Sequence, residues 1–258
     1  MPFTASHAAA VLPLLRTRLV FSALVAGALA PDIGYFLTFS SRHGESHSLE
    51  GLFFICLPAG LLMLLLFHKF LKQPLLALLP VSHQLRLYPY AQDFRFGPAS
   101  RFVLILVSIL IGSVTHLFWD SFTHDNGWVV SQLPELSAPI LEIHGALIPV
   151  YKLLQHGSTL LGLIVLTVAY IFWFRSARLS SVRPTALTFA TKVVIVGVLL
   201  VGACTAALTR TIQPLISWGT IRTNVVQGGI SFISALALET IVFSLVWHFF
   251  RQRSKSVY

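Results

Sequence analysis

The sequence has few charged residues and very few acidic ones. Asp, Glu, Lys and Arg together make up 10% of its 258 residues, and 18 basic residues stand against 9 acidic ones. With 55% hydrophobic residues and a mean hydropathy of +0.79, the chain falls outside the range of soluble globular domains. This composition predicts an integral membrane protein.

Cysteine is also scarce. Cys56 and Cys204 both fall in apolar runs without Cys-x-x-Cys spacing, so we interpret them as packing residues rather than as a redox or zinc motif. The net charge of +9 does not indicate nucleic acid, because the basic residues flank the apolar runs instead of forming one patch. We therefore expect membrane lipid, and no nucleic acid, as the partner of this chain.

Apolar runs dominate the chain, and no internal repeat is visible. They predict an all-α, polytopic membrane helical bundle with five to six transmembrane helices. We expect a single membrane domain over residues 1–258, with a metal-site half at 1–160 and C-terminal transmembrane helices at 161–258. The segments from Gln73 to Arg101 and from Thr123 to Gly157 are interpreted as connections. The predicted runs are Leu19 to Phe39, Leu52 to Phe67, Phe102 to Phe122, Leu160 to Phe174, Val193 to Leu208 and Ile230 to Phe250.

The basic residues also predict an orientation. In a six-span arrangement, 14 Lys and Arg lie on the side of the termini and 4 lie on the other side. Because basic connections stay in the cytoplasm, both termini are expected there, and the chain is expected in the cytoplasmic (inner) membrane. His and Asp residues from four separate segments then converge on the outer face.

One stretch differs from the apolar sequence around it: Thr115 to Trp128, reading THLFWDSFTHDNGW. His116, Asp120 and His124 are spaced four apart, so on a helix they share one face. Imidazole and carboxylate suit zinc and similar ions, and ionisable groups within a membrane segment are functional candidates. The alternative interpretation is a local His–Asp hydrogen bond. The Asn-Gly pair is expected to end the helix at the membrane–water boundary.

The start of the chain allows two paths. If the first apolar run is a plain span, His7 lies on the cytoplasmic side, about 30 Å from the other candidates. If residues 4–37 form a helix, a break and a second helix that turn at Arg16 to Arg18, the segment is re-entrant. In that second path we expect His7 within about 10 Å of Asp32 and His116.

Four motifs resemble a known family. MPFTASHAA, APDIGYF, HSLEG and HLFWDSFTHDNGW are similar to the signatures of an uncharacterised bacterial integral-membrane family, catalogued as domain of unknown function 4184. Over residues 1–160 the chain distantly resembles LexA-regulated, membrane-bound metal-dependent hydrolases. Its order His, Asp, His, His-x-x-x-Asp is also similar to the ligand order of zinc-dependent phospholipases C and P1-type nucleases. Since a later His-x-x-x-Glu is missing, we expect one or two zinc ions rather than three. The metal ligands that the resemblance implies are His7, Asp32, His47, His116 and Asp120.

Two functions remain open. The first is a membrane-bound metal-dependent hydrolase that acts on a phosphate ester or a lipid, with Asp120 and His124 as catalytic residues. The alternative is a non-enzymatic membrane protein, either a metal or small-solute carrier or a structural partner. The candidates gather at one face, unlike the midplane sites of carriers built from repeats, which favours the hydrolase. Weaker candidates are His43, Glu135, Glu142, His144, His156 and Glu239, and no chemical role is expected for His68, His83 and His248.

Overall fold

A computed structural model of the chain describes residues 4–39, 45–91, 94–143, 145–181, 187–211 and 218–255. The described residues include six helices that are long and apolar enough to cross a membrane. The prediction of an all-α polytopic bundle is therefore confirmed, and the chain is a multi-pass membrane protein. The six spans, numbered in chain order, are Phe21–Thr38, Leu49–Leu78, Ala99–Asp120, Val150–Ser176, Phe189–Arg210 and Thr223–Arg251.

Shorter elements precede and connect the spans. A 3-10 helix, Thr4–Arg16, opens the described chain and is called the N-terminal helix below. The first span is interrupted, because a 3-10 turn at Ala30–Asp32 separates the α-helices Phe21–Leu29 and Ile33–Thr38. The sixth span is the central part of the helix Trp218–Lys255. The connections contain the helical segments Glu45–His47, Val81–Leu87, Tyr88–Ala91, Trp128–Gln132 and Pro134–Leu136, and an antiparallel hairpin of β1 (Pro139–Ile143) and β2 (Ala146–Pro149).

The second span is longer than its apolar run. We expected the helix to end before His68, but it continues to Leu78 through the π-helical segments Leu52–Cys56 and Phe67–Leu71. Long basic side chains can extend from a helix towards water, so a basic residue does not by itself end a helix. The prediction that an irregular connection begins at Gln73 is therefore wrong.

The segment after the third span is also more ordered than predicted. The third span ends at Asp120 and not at the Asn-Gly pair, and a turn follows in which the His124 N–H donates to the Asp120 carbonyl at 3.1 Å. The fourth span begins at Val150, so His156 lies on a helix and not in a loop. Hydropathy alone did not mark this start, because polar residues occupy the first turns of the helix.

The contacts divide the chain into two compact units. The first unit contains Met1–Gly34, His43–Leu64 and Phe96–Ile171. The second unit contains Tyr35–Arg42, Leu65–Arg95 and Phe172–Tyr258, and within it the fifth and sixth spans pack together. The organisation as a single membrane domain stays a prediction.

Close packing of the first and third spans forms the scaffold of the first unit. A Cβ added at Gly27 would collide with the backbone of Ile109, and one at Gly112 would collide with the backbone of Leu24. Small residues allow this approach between membrane helices, whose association depends on packing contacts. The Ser113 hydroxyl also donates to the Gly27 carbonyl at 3.0 Å. These contacts set the register in which the polar ends of the two spans meet.

Candidate metal centre

Polar side chains from four segments of the first unit form one cluster, called the His/Asp cluster below. The segments are the N-terminal helix, the break in the first span, the short helix before the second span, and the end of the third span. The structure therefore brings together all the residues that the sequence predicted as ligands or catalytic groups. The members of the cluster are His7, Asp32, His47, His116, Asp120 and His124.

The geometry of the N-terminal helix explains how His7 reaches the cluster. A 3-10 helix has three residues per turn, so Thr4 and His7 lie on the same face. The Thr4 hydroxyl donates to Asp32 Oδ2 at 2.6 Å, and the His7 ring stacks on the His116 ring with 3.8 Å between centroids. The start of the chain thus has the predicted helix, break and second helix, with His7 beside Asp32 and His116.

Asp120 lies at the centre of the cluster, with an imidazole near each oxygen. Its Oδ2 atom is 3.2 Å from His116 Nε2 and 3.5 Å from His47 Nε2. Its Oδ1 atom is 3.5 Å from His7 Nε2 and 3.5 Å from His124 Nδ1. One buried carboxylate therefore contacts all four histidines.

Four nitrogen–oxygen pairs of the cluster have the spacing of neighbouring metal ligands: they join Nε2 of His47 and Nε2 of His116 to Oδ1 of Asp32 and Oδ2 of Asp120. The four distances between a nitrogen and an oxygen of this set are 3.2, 3.5, 3.6 and 3.6 Å. Zinc ligands at roughly 2.0 to 2.2 Å in a tetrahedron lie roughly 3.3 to 3.6 Å from each other. The side chains present therefore fit an ion of this size.

Hydrogen bonds on the far side of two imidazoles set their tautomers. His116 Nδ1 donates to the Ala28 carbonyl at 2.7 Å. His47 Nδ1 donates to the Ser46 hydroxyl at 3.2 Å, because that hydroxyl uses its own proton on the Pro31 carbonyl at 2.7 Å. In the neutral rings both Nε2 atoms therefore carry a lone pair, and both lie beside the carboxylates. Metal-ligating histidines have this arrangement, in which the other ring nitrogen donates to a fixed acceptor.

Several buried atoms of the cluster make no hydrogen bond within the described part of the chain. They are both ring nitrogens of His7, Nε2 of His116 and Oδ1 of Asp120. Buried polar atoms without a partner are costly, and a lone pair that faces a carboxylate is repelled by it. A cation between these atoms would remove both costs.

His124 contacts the cluster in a different way. Lys152 Nζ donates to Gln155 Oε1 at 2.9 Å, which orients the amide so that Gln155 Nε2 donates to His124 Nε2 at 3.3 Å. His124 Nδ1 then carries the proton and faces Asp120. Burial lowers the pKa of His124, and it lowers the pKa of His7 to about 3, so both rings are neutral at pH 7. His124 Nδ1 lies 3.5 Å from Asp120 Oδ1.

Three supporting residues were not predicted as part of the site. Thr4 orients Asp32, Ser46 orients His47, and Gln155 orients His124. A signal was present for one of them, since Gln155 is a buried amide at the start of an apolar helix. The roles of the other two depend on contacts that only the fold creates.

The weaker candidates lie elsewhere. Glu135, Glu142 and His156 are exposed. Among the described residues, the groups with metal-ligand spacing are His7–Asp32–His116 and His47–His116–Asp120, and their ligand atoms lie within 4.8 Å of one another. His43 and His144 lie outside the described residues. The second unit contains His68, His83, Glu239 and His248.

The cluster is accessible along one edge. The side chains of His47 and His124 are 22% and 23% exposed, whereas His7 and His116 are fully buried. Solvent therefore reaches the cluster between His47 and His124. A catalytic metal site needs such an open position, whereas a structural site is closed by protein ligands.

The fold and the cluster together define a class: a multi-pass helical membrane protein with a buried His/Asp cluster of metal-ligand spacing. The chain belongs to the family described as Domain of unknown function (DUF4184), whose model matches residues 1–245. The predicted family is thus confirmed, and the match extends well beyond the residues that carried the resemblance. No curated protein and no solved structure matches the chain.

Proposed function

We propose that this protein is a membrane-bound metal-dependent hydrolase whose His/Asp cluster binds one or two zinc ions. The observation that carries the proposal is that Nε2 of His47 and Nε2 of His116 lie 3.2 to 3.6 Å from carboxylate oxygens of Asp32 and Asp120, the separation of neighbouring zinc ligands. An imidazole-rich set favours zinc, because magnesium and calcium prefer shells of oxygen alone.

A second ion has its own donors. Asp120 Oδ1 is not among the four atoms named above and lies 3.5 Å from His7 Nε2. His7 has no hydrogen bond within the described residues, so its Nε2 lone pair can serve as a ligand. We therefore propose that His7 and Asp120 would hold the second ion.

The proposed reaction is hydrolysis of a phosphate ester or a carboxylic ester, in which water adds across a P–O or C–O bond. A bound zinc ion would lower the pKa of a water molecule to about 7 and would polarise the phosphoryl or carbonyl oxygen of the substrate. Thr4 keeps Asp32 in place through its hydrogen bond to Oδ2. We propose that His124, partly exposed beside Asp120, carries the proton that the leaving oxygen takes up.

We also propose that the cluster lies at the outer face of the bacterial inner membrane, with both termini in the cytoplasm. The support is the distribution of basic residues, 14 on the side of the termini against 4 on the other. A substrate would then reach the cluster from the outer leaflet or from the solution above it.

The test is a measurement of hydrolysis on detergent-purified protein loaded with zinc. Release of inorganic phosphate and of fatty acid is followed with a panel of phosphorylated and ester lipids. We expect turnover by the wild type and by His83→Ala, and none by Asp32→Asn, which keeps the shape of the side chain but weakens a ligand. A protein that binds zinc but hydrolyses no member of either class would contradict the hydrolase and support the carrier or structural alternative.

A further inference from the structure

A cavity of about 620 Å³ lies in the first unit next to the His/Asp cluster. Its size is within the range of small-molecule sites, about 300 to 1,000 Å³. Its walls come from the N-terminal helix and from the third and fourth spans. Among the lining residues are Ala10, Val114, Phe118, Trp119, Thr123 and Leu154.

The lining of the cavity is apolar, because its polar groups bond to the protein itself. The Thr115 hydroxyl donates to the Gly112 carbonyl at 2.7 Å, and the Thr123 hydroxyl donates to the Trp119 carbonyl at 3.4 Å. Trp119 Nε1 donates to the Ser158 hydroxyl at 3.0 Å. A ligand in the cavity would therefore contact mainly carbon atoms of the lining, which suits a hydrocarbon and not a polar solute.

The cavity and the cluster share a wall. The Trp119 ring meets the His7 ring edge-on, with 5.3 Å between centroids, and also lines the cavity. Ala10 lies one 3-10 turn after His7, and the Thr123 N–H donates to the Asp120 carbonyl at 3.1 Å. A ligand in the cavity therefore has one end beside the proposed ligands.

Exposed apolar side chains also border the cavity. Phe118 is 66% exposed and Val114 is 51% exposed. Both belong to the third span, and on a membrane-spanning helix an exposed apolar side chain faces lipid. A chain can therefore enter the cavity sideways from the bilayer.

We propose that the cavity binds one linear hydrocarbon chain of a lipid whose phosphate or ester group lies at the His/Asp cluster. This inference rests on the proposed function and names its substrate class. The ligand must be an amphiphile, because an apolar cavity beside a polar cluster matches a molecule with an apolar chain and a hydrolysable head.

The test is photolabelling of the full chain in phosphatidylcholine nanodiscs. The probe is phosphatidic acid with a diazirine in one acyl chain. Leu154→Trp fills the cavity, and Leu160→Trp is the matched control, since Leu160 is 62% exposed, does not line the cavity and lies about 120° away around the same helix. If Leu154→Trp does not fold, Val114→Phe fills the same cavity from an exposed position.

We expect label on the wild-type peptide that covers residues 114–123. Labelling should fall about tenfold in Leu154→Trp, the effect of excluding roughly two methylene groups from an apolar site, and should be unchanged in Leu160→Trp. Competition by unlabelled phosphatidic acid supports a phosphate-bearing lipid, and competition by monoacylglycerol supports a neutral ester lipid. Equal labelling in Leu154→Trp, or label spread over all exposed faces, would show ordinary surrounding lipid and overturn the proposal.

One further variant separates this inference from the proposed function. Asp120→Asn changes the metal ligands but not the walls of the cavity, so we expect weaker zinc binding and loss of hydrolysis with wild-type labelling. Loss of labelling in Asp120→Asn would contradict a binding site for the hydrocarbon chain that is formed by the cavity walls.

Discussion

Asp120 offers the most direct test of the metal centre, because one residue contacts every histidine of the cluster. Asp120→Asn keeps the size of the side chain and leaves no cavity, but it removes the negative charge and replaces one carboxylate oxygen by a donor. Its neighbours at 3.2 to 3.5 Å are the four imidazoles. The substitution therefore changes ligand chemistry with little change in packing.

The size of the expected effect follows from the number of ligand atoms. Zinc sites with four protein ligands bind with about 10 to 16 kcal/mol at pH 7. One ligand of four accounts for about 3 kcal/mol, so zinc affinity should fall about 100-fold. A second ion that shares Asp120 would be lost together with the first.

The assay is zinc titration of metal-stripped protein in detergent, with bound metal counted by elemental analysis. Asp125→Asn is the matched control, because Asp125 is exposed, lies in the turn after the third span and belongs to neither group with metal-ligand spacing. We expect wild-type affinity in Asp125→Asn. Equal zinc affinity in wild type and Asp120→Asn, or no zinc uptake by the wild type, would contradict a zinc site that depends on Asp120.

Three further predictions concern the supports of the site, the scaffold and the orientation. Gln155→Leu leaves His124 Nε2 without its donor, so denaturation should show a free energy of unfolding lower by about 1 to 3 kcal/mol, and zinc titration an affinity about tenfold weaker. Wild-type values in both assays would contradict the hydrogen-bonded series Lys152–Gln155–His124. In detergent, Gly112→Leu should lower the free energy of unfolding by about 3 kcal/mol or more, because its side chain meets the backbone of the first span, whereas Gly157→Ala, which faces open space, should behave as the wild type. Equal stability of the two variants would contradict the close packing of the first and third spans. In a Cys204→Ala background, Ser48→Cys and Glu135→Cys should react with an impermeant thiol reagent in intact cells, and protection of both until lysis would reverse the proposed orientation.

The sequence alone determined the class of the protein. Low charge and long apolar runs leave a membrane bundle as the fold, because backbone polar groups in lipid must be paired within a helix. His116 and Asp120 were also predictable, because four residues along a helix return a side chain to the same face. The predicted helix ends were wrong at Leu78 and Val150 because polar residues extend these helices beyond their apolar runs, and hydropathy detects only the apolar runs.

Only the tertiary structure decided how the cluster is assembled. The sequence allowed two positions for His7, on the side of the termini or beside Asp32 and His116. The second position depends on a 3-10 helix that places Thr4 and His7 on one face. The tautomers of His47 and His116 depend on carbonyls of the first span, far away in sequence. Such contacts exist because Gly27 and Gly112 let the first and third spans approach to backbone contact. The residue pattern of one helix does not show which other helix packs against it.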